Sequence, residues 1–258
     1  MIKVDRITFR YEKHLPLFQD FTWQVSRGQT WVIIGPSGCG KSTMLYLLAG
    51  LQHPERGEVL INEKPIPAPR PETGLILQDY GLLPWSTVRD NVALGLNLRQ
   101  FYGPDGKHAP KDTNPAEQNS AVNLWLERLG IGEIADKFPG QISGGQRQRT
   151  AIARTLVLTP DLLLMDEPFA SLDAPTREDL QQLVRTISAE RPLTTVMVTH
   201  TIEEALYLGE RILVLKNGVN TVPYILDNPF AGQLSPRSEK DYQQLTDRIR
   251  EELKGIPA

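Results

Sequence analysis

Cysteine is nearly missing from this chain: Cys39 is the only one in 258 residues. An internal disulfide framework is therefore excluded, and the usage suits a reducing compartment. Long apolar runs are missing as well. The strongest, Leu162-Leu163-Leu164-Met165, is followed at once by Asp166, whereas a bilayer span takes about 18 such residues; the chain is not expected to cross a membrane. Charge of one sign does not dominate either, since 28 basic and 31 acidic residues leave a net charge of -3. With no global basic field there is no invitation to nucleic acid, and any phosphate-binding site must be local. The first residues lack the cationic and apolar regions of a signal peptide, so the cytoplasm is the expected compartment. No internal repeat or low-complexity tract is present. What remains is a chain that is 40% hydrophobic, long enough to bury the core of one large domain or of a domain with a subdomain.

The pattern along the chain opens with β-rich segments. Ile2 and Val4, then Ile7, Phe9 and Tyr11, alternate as a strand does, and residues 21–25 and 30–34 are short strand-like runs split by the turn at Arg27-Gly28. Met44, Leu45, Leu47 and Leu48 then recur at helical spacing up to Gly50. Further strands are expected at 58–61, 74–77, 162–165, 195–199 and 211–215. Several of these are continuous apolar runs, as strands buried on both faces of a largely parallel sheet are. The middle differs: residues 88–102 and 119–129 read as helices, separated by a polar stretch at 103–115 that reads as an exposed loop on a helical subdomain. Beyond Val219 the pattern weakens until Leu245, Ile249 and Leu253 mark one face of a terminal helix.

Between the strand at 30–34 and the following helix stands Gly35-Pro36-Ser37-Gly38-Cys39-Gly40-Lys41-Ser42, the G-x-x-x-x-G-K-[ST] pattern in the strand-to-helix context that a phosphate loop requires. Glycines are needed there because backbone N–H groups must close around phosphate oxygens at a helix N-terminus. Lys41 is a point charge for the β- and γ-phosphates, and the Ser42 hydroxyl is placed to ligate Mg²⁺. Thr43 either adds a hydroxyl contact to the α-phosphate or is an ordinary first-turn residue. Cys39 sits at a variable position of the loop; its side chain is expected to pack, and only if it were accessible would alkylation block nucleotide and ATP protect it. The apolar run 162–165 ends in Asp166 and Glu167, the form of a Walker B segment in which Asp166 holds the Mg²⁺ shell and Glu167 orients or deprotonates the attacking water.

Ile142-Ser143-Gly144-Gly145-Gln146 closely resembles the signature sequence of ABC ATPases, usually written LSGGQ, with Ile in place of Leu. A Ser-Gly-Gly helix cap is explained structurally on its own terms; the resemblance adds a second role, in which the capped helix faces the γ-phosphate of ATP held by another subunit's phosphate loop. By the same resemblance Tyr11 corresponds to the adenine-stacking aromatic, Gln78 to the Q-loop glutamine that touches Mg²⁺ and the water, Asp173 in Ser171-Leu172-Asp173 to the D-loop at the dimer seam, and His200 to the switch histidine. Read alone, Tyr11 is an aromatic that packs, Asp173 a helix cap, and His200 an incidental strand-end histidine.

The resemblance covers residues 1–218 and implies an α/β fold, a P-loop NTPase (RecA-like) core with an antiparallel β entrance and an α-helical signature subdomain at about 88–150. Residues 219–258 are expected to be a short C-terminal extension. Gln78-Asp79-Tyr80-Gly81-Leu82-Leu83-Pro84-Trp85 is similar to importer ATPases of the nitrate, sulfonate and taurine group. The implied function is ATP binding and hydrolysis with Mg²⁺ in a head-to-tail pair of cassettes, by resemblance a homodimer, coupled to separate transmembrane permease subunits at the cytoplasmic face of the membrane and indirectly to an extracytoplasmic solute-binding protein. The alternatives are the ATPase subunit of an exporter and a non-transport ABC ATPase.

Overall fold

Every strand expected from the sequence forms. In the computed structural model, residues 1–12, 15–101, 114–190, 193–233 and 240–254 are described. Strands β1 (Ile2–Phe9), β2 (Phe18–Val25), β4 (Arg56–Ile61) and β5 (Lys64–Pro65) make an antiparallel sheet in the order β2-β1-β4-β5. The second sheet has the order β10-β9-β3-β8-β7-β6, built from β3 (Thr30–Ile34), β6 (Thr73–Ile76), β7 (Leu162–Asp166), β8 (Thr194–Thr199), β9 (Arg211–Val214) and β10 (Tyr224–Asp227). All of its pairs are parallel except β9 with β10.

The apolar runs are continuous because this second sheet is covered on both sides. On β7, Leu162 and Leu164 join a core with the antiparallel sheet and helix α1 (Lys41–Leu48), while Leu163 and Met165 turn to the opposite core, which the remaining helices fill. Val196 and Val198 of β8 likewise face one layer and Met197 the other. Successive side chains point to opposite faces, so the middle of each strand is apolar on both sides, and the buried threonines of β8 stand at its ends.

The helical subdomain consists of α2 (Val88–Phe101), α3 (Pro115–Arg128) and α4 (Gly144–Leu156). Asn114 caps α3, its side chain accepting the Ala116 N–H at 3.0 Å, and Pro115 occupies the first turn, an arrangement that suits proline's fixed φ and missing donor. Helices α5 (Ala174–Glu190), α6 (Ile202–Leu208) and α7 (Lys240–Lys254) follow. Most of the loop expected at 103–115 lies outside the described residues, although Pro115 already belongs to α3.

The boundary expected after residue 218 is not a break in packing. Strand β10 extends the central sheet, and Tyr242, Leu245 and Ile249 of α7 are buried in the helix-side core. Strand β10 and helix α6 were not foreseen from the pattern; β10 is a four-residue edge strand and α6 only seven residues long.

Candidate functional site

Register decides where the chemistry can be. Ile34 of β3 stands beside Thr199 of β8, Val198 of β8 beside Asp166 of β7, and Met165 of β7 beside Ile76 of β6. The residues that follow these strand ends, Gly35, His200, Glu167 and Gln78, therefore emerge along one edge of the sheet. That is the carboxyl edge, where ligands of open α/β sheets bind.

The loop from Gly35 to Gly40 turns β3 into α1, and two glycines are demanded by geometry. A β-carbon on Gly35 would lie 2.6 Å from the Leu215 carbonyl oxygen, and Gly40 takes φ +103, a left-handed value, as it caps α1. Lys41 is buried and its ammonium donates to the carbonyls of Gly35 at 2.9 Å and Pro36 at 3.0 Å, so the charge is poised over the loop. The N-terminus of α1, with no acid in its first turn, adds its dipole to the same place. Asn220 fastens this loop from a distance in sequence: its amide donates to the Cys39 carbonyl at 3.3 Å, the Leu17 carbonyl at 3.3 Å and the Lys216 carbonyl at 3.2 Å.

The cleft beside the loop has a volume of about 550 Å³ and is lined by Tyr11, Leu15, Leu17, Ser37, Gly38, Gly40, Lys41, Ser42, Thr43 and Glu167. Tyr11 is 43% exposed, stands edge-on to Phe9 with ring centroids 5.1 Å apart, and shares a 3.2 Å hydroxyl contact with Thr43. Its free face suits stacking better than core packing. Thr43 thus touches the aromatic at the mouth of the cleft. Cys39 points the other way: its side chain is 1% exposed in the core, and burial raises the thiol pKa above its ordinary value against the pull of Lys41. The thiol packs, and the accessibility that alkylation would need is missing; only its backbone can face a phosphate.

Ser42 donates to Asp166 Oδ1 at 3.1 Å. Burial raises the Asp166 pKa above the ordinary carboxylate value, opposed by the Ser42 hydrogen bond; the neighbouring Glu167 adds to the rise and Lys41 works against it. A buried carboxylate beside a hydroxyl is a hard oxygen set that fits Mg²⁺, an ion that takes one or two protein oxygens and completes its shell with water and phosphate. No group of three or more His, Cys, Asp or Glu placed to hold a metal ion exists among the described residues. Because folding raises this pKa, the folded state prefers the protonated acid. The penalty for ionisation is present above the folded pKa and is relieved as pH falls through it toward the unfolded value. Asp166→Asn, which keeps an acceptor for Ser42, is accordingly expected to raise the melting temperature of the nucleotide-free protein, by about 2–4 °C for each kcal/mol relieved. It should also abolish the stabilisation that MgATP gives the wild type. Thermal melts with and without MgATP check this, and a variant that melts lower without nucleotide contradicts it.

Glu167 holds φ +45, a left-handed value costly for a residue with a side chain, and its N–H donates to the Val198 carbonyl at 3.0 Å. The strained turn carries its carboxylate into the cleft, where Oε2 lies 3.2 Å from His200 Nδ1. With Nδ1 protonated the imidazole donates to the carboxylate and leaves Nε2 free.

The remaining expected residues lie elsewhere. Gln78 is exposed just past β6. Ser143 caps α4: its hydroxyl accepts the Gln146 N–H at 3.2 Å while Gln146 Oε1 accepts the Ser143 N–H at 3.0 Å, a reciprocal capping box. Ser143 is exposed, and neither it nor Gly144, Gly145 or Gln146 lines the cleft. Asp173 caps α5 through the Thr176 N–H at 3.4 Å, and hydrogen bonds from Thr176 hold its carboxyl below the usual range. Leu15, Leu17 and Asn220 were missed by sequence reasoning. A leucine flanking an aromatic and an asparagine 181 residues from the carbonyl it holds leave no local pattern.

A phosphate loop between the first parallel strand and its helix, with an acid pair at the end of the strand next but one in the sheet, defines a P-loop NTPase of mixed α/β fold. The chain belongs to the ABC transporter family, whose sequence profile matches residues 18–170, and it is an ABC-type ATPase. It is 40% identical over 213 residues to the nitrate import ATP-binding protein NrtD of Synechococcus elongatus, covering 82% of this chain and 74% of that one. It is 43% identical to the bicarbonate transport ATP-binding protein CmpC of the same organism, covering 76% of this chain but only 28% of that one. With the aliphatic sulfonates import ATP-binding protein SsuB of Bacillus cereus the identity is 34%, over 92% of this chain and 88% of the other. Among solved structures, the dimeric ABC cassette MJ0796 bound to ADP and Pi in a post-hydrolysis state superimposes with a TM-score of 0.74 at 30% identity, covering 88% of this chain and 98% of that one.

Proposed function

We propose that the chain is the ATPase subunit of an importer for a small oxyanion, working as a pair of cassettes at the cytoplasmic face of the membrane. The observation that carries the pairing is the separation of two anion-binding devices: a cleft lined by the phosphate loop, and an exposed, capped helix N-terminus at Ser143 that contributes nothing to that cleft. A second copy turned antiparallel would supply the missing wall, and the solved neighbour MJ0796 is itself dimeric. The backbone of Gly35, Pro36, Ser37, Gly38, Cys39 and Gly40 then holds the β-phosphate with Lys41. Tyr11 stacks on the base, and Thr43 steadies that ring. Ser42 and Asp166, with Gln78, would hold Mg²⁺, which would supply positive charge beside the phosphates. Glu167 orients the water and takes its proton, His200 faces the γ-phosphate, and Gly144, Gly145 and Gln146 with Ser143 close on that phosphate from the partner. Asp173 lies at the seam.

The membrane partner in this reading is a permease subunit; no helix among the described residues is long and apolar enough to cross a bilayer. Its landing place is the turn before α2. Asn91, fully buried, donates its amide to the carbonyls of Leu83, Ser86 and Thr87 and accepts the Leu83 N–H at 2.8 Å. The rigid turn presents Trp85, 73% exposed, and Phe138 stands exposed beside Lys137, whose carbonyl accepts the first N–H of α2. Exposed aromatics on a fixed backbone suit the docking of an apolar helix. The relatives named for nitrate, bicarbonate and aliphatic sulfonates point to an oxyanion as solute; a solute-binding protein outside the membrane would deliver it.

Trp85→Ala is expected to leave the turnover of the purified chain unchanged and to release it from membranes carrying its permease, which a sedimentation assay reads. Retention of the variant on those membranes, or stimulation of its ATPase by nucleic acid instead, would contradict the importer reading.

A further inference from the structure

Three loops that the sequence separates widely meet at one hydroxyl. Tyr80, two residues after Gln78, shares a 2.6 Å hydrogen bond with Ser171, two residues before Asp173. The same phenolic oxygen bounds the space beside Gly144, 3.8 Å from where a β-carbon would stand, with the Leu172 side chain at 3.9 Å. The guanidinium of Arg147, one turn into α4, lies over the ring at 6.0 Å from its centre.

The backbone beneath that ring is held in place at a cost. Tyr80 has φ +66 and Gly81 φ +58, and the left-handed region is disfavoured for a tyrosine. What secures the turn is Arg154 of α4, which donates to the Tyr80 carbonyl at 2.8 Å and the Gly81 carbonyl at 2.6 Å. The Gln78 loop is thus clamped to the signature helix through its carbonyls, while its one aromatic side chain reaches to the turn carrying Ser171. Strain at a position fixed from two sides is expected where geometry matters to function.

We infer that Tyr80 is a positioning residue: through Ser171 it sets the place of the Asp173 turn relative to Gln78 and the signature N-terminus, so that both sides of the composite site move together. The inference rests on the two-chain site proposed above. Tyr80 does not line the cleft, and its removal should act on turnover of the closed pair without weakening the binding of ATP to one chain.

Tyr80→Phe keeps the ring and loses only the hydroxyl; Ser171→Ala loses the other half of the pair. Each is expected to leave the dissociation constant of MgATP, measured by calorimetry on the purified chain, within twofold of wild type. Each should lower kcat roughly three- to tenfold, the range that one hydrogen bond supplies. The double variant should be no slower than either single one, because both remove the same contact, and Ser171→Thr, which keeps a hydroxyl, should restore turnover. Wild-type kcat in both single variants, or losses that multiply in the double one, would overturn the inference. A wild-type chain whose turnover per chain stays constant on dilution to single chains would sink the composite-site reading itself, a result distinct from failure of the tyrosine alone.

Discussion

Glu167→Gln is expected to bind MgATP as the wild type does and to turn it over about 10²- to 10⁴-fold more slowly, the share that a general base contributes. The amide has the carboxylate's shape, so the left-handed turn at φ +45 and the contact with His200 Nδ1 survive; only the ability to take a proton from water is gone. With hydrolysis blocked, nothing removes the γ-phosphate that bridges two chains, and an ATP-loaded dimer should accumulate. Size-exclusion chromatography with light scattering reads the dimer, and phosphate release reads the chemistry. In the proposed arrangement Asp166 does not substitute as the base, because its carboxylate accepts the Ser42 hydroxyl at 3.1 Å and would hold the ion. Wild-type turnover in the amide variant would remove Glu167 from that role.

Ser143→Asp separates the two jobs of the signature serine. Aspartate caps a helix as well as serine does, so the N–H of Gln146 keeps its acceptor and α4 its stability. A carboxylate at that exposed N-terminus, however, would face the γ-phosphate across the seam. At about 4 Å and an effective dielectric constant near 20 two like charges repel by about 4 kcal/mol, enough to cost on the order of 10³ in closed complex. The expected result is a fold and a one-chain MgATP affinity like the wild type, with turnover nearly abolished. Lys41→Ala should be dead for the opposite reason, having lost the charge over its own loop. Mixing the two dead variants gives a mixed pair whose one intact site joins the phosphate loop of the first to the signature of the second. About a quarter of wild-type activity should return if the two sites act independently. Loss of MgATP binding by Ser143→Asp alone would mean that the serine serves its own chain's cleft.

The parts of this site that could be read from the sequence are those written in consecutive residues. Gly35 to Ser42 announces itself because backbone closure around a phosphate demands glycines at fixed spacing, and Asp166-Glu167 because a continuous apolar run breaks there into two adjacent acids. The helices were visible where the pattern ran long, as in α2 and α3, and invisible in α6. The boundary placed after residue 218 failed to mark a break because β10 is a short edge strand with a half-buried pattern, and its attachment to the core is made by pairing with β9. The clamp of Arg154 on Tyr80 and Gly81 spans 74 and 73 residues, and that of Asn220 on Cys39 spans 181. Contacts between single polar side chains and distant carbonyls carry no periodicity, and only the fold brings them into view. Arg154 in particular reads in the sequence as one more cation on a helix face, whereas its guanidinium is what holds the Gln78 loop against the signature helix.

A site shared between two chains has one direct test: turnover per chain of the purified wild type, followed down a dilution series alongside its mass in solution with MgATP. Specific activity should fall as the protein is diluted and track the fraction of dimer. Constant turnover per chain at concentrations where scattering finds single chains alone would contradict a shared site.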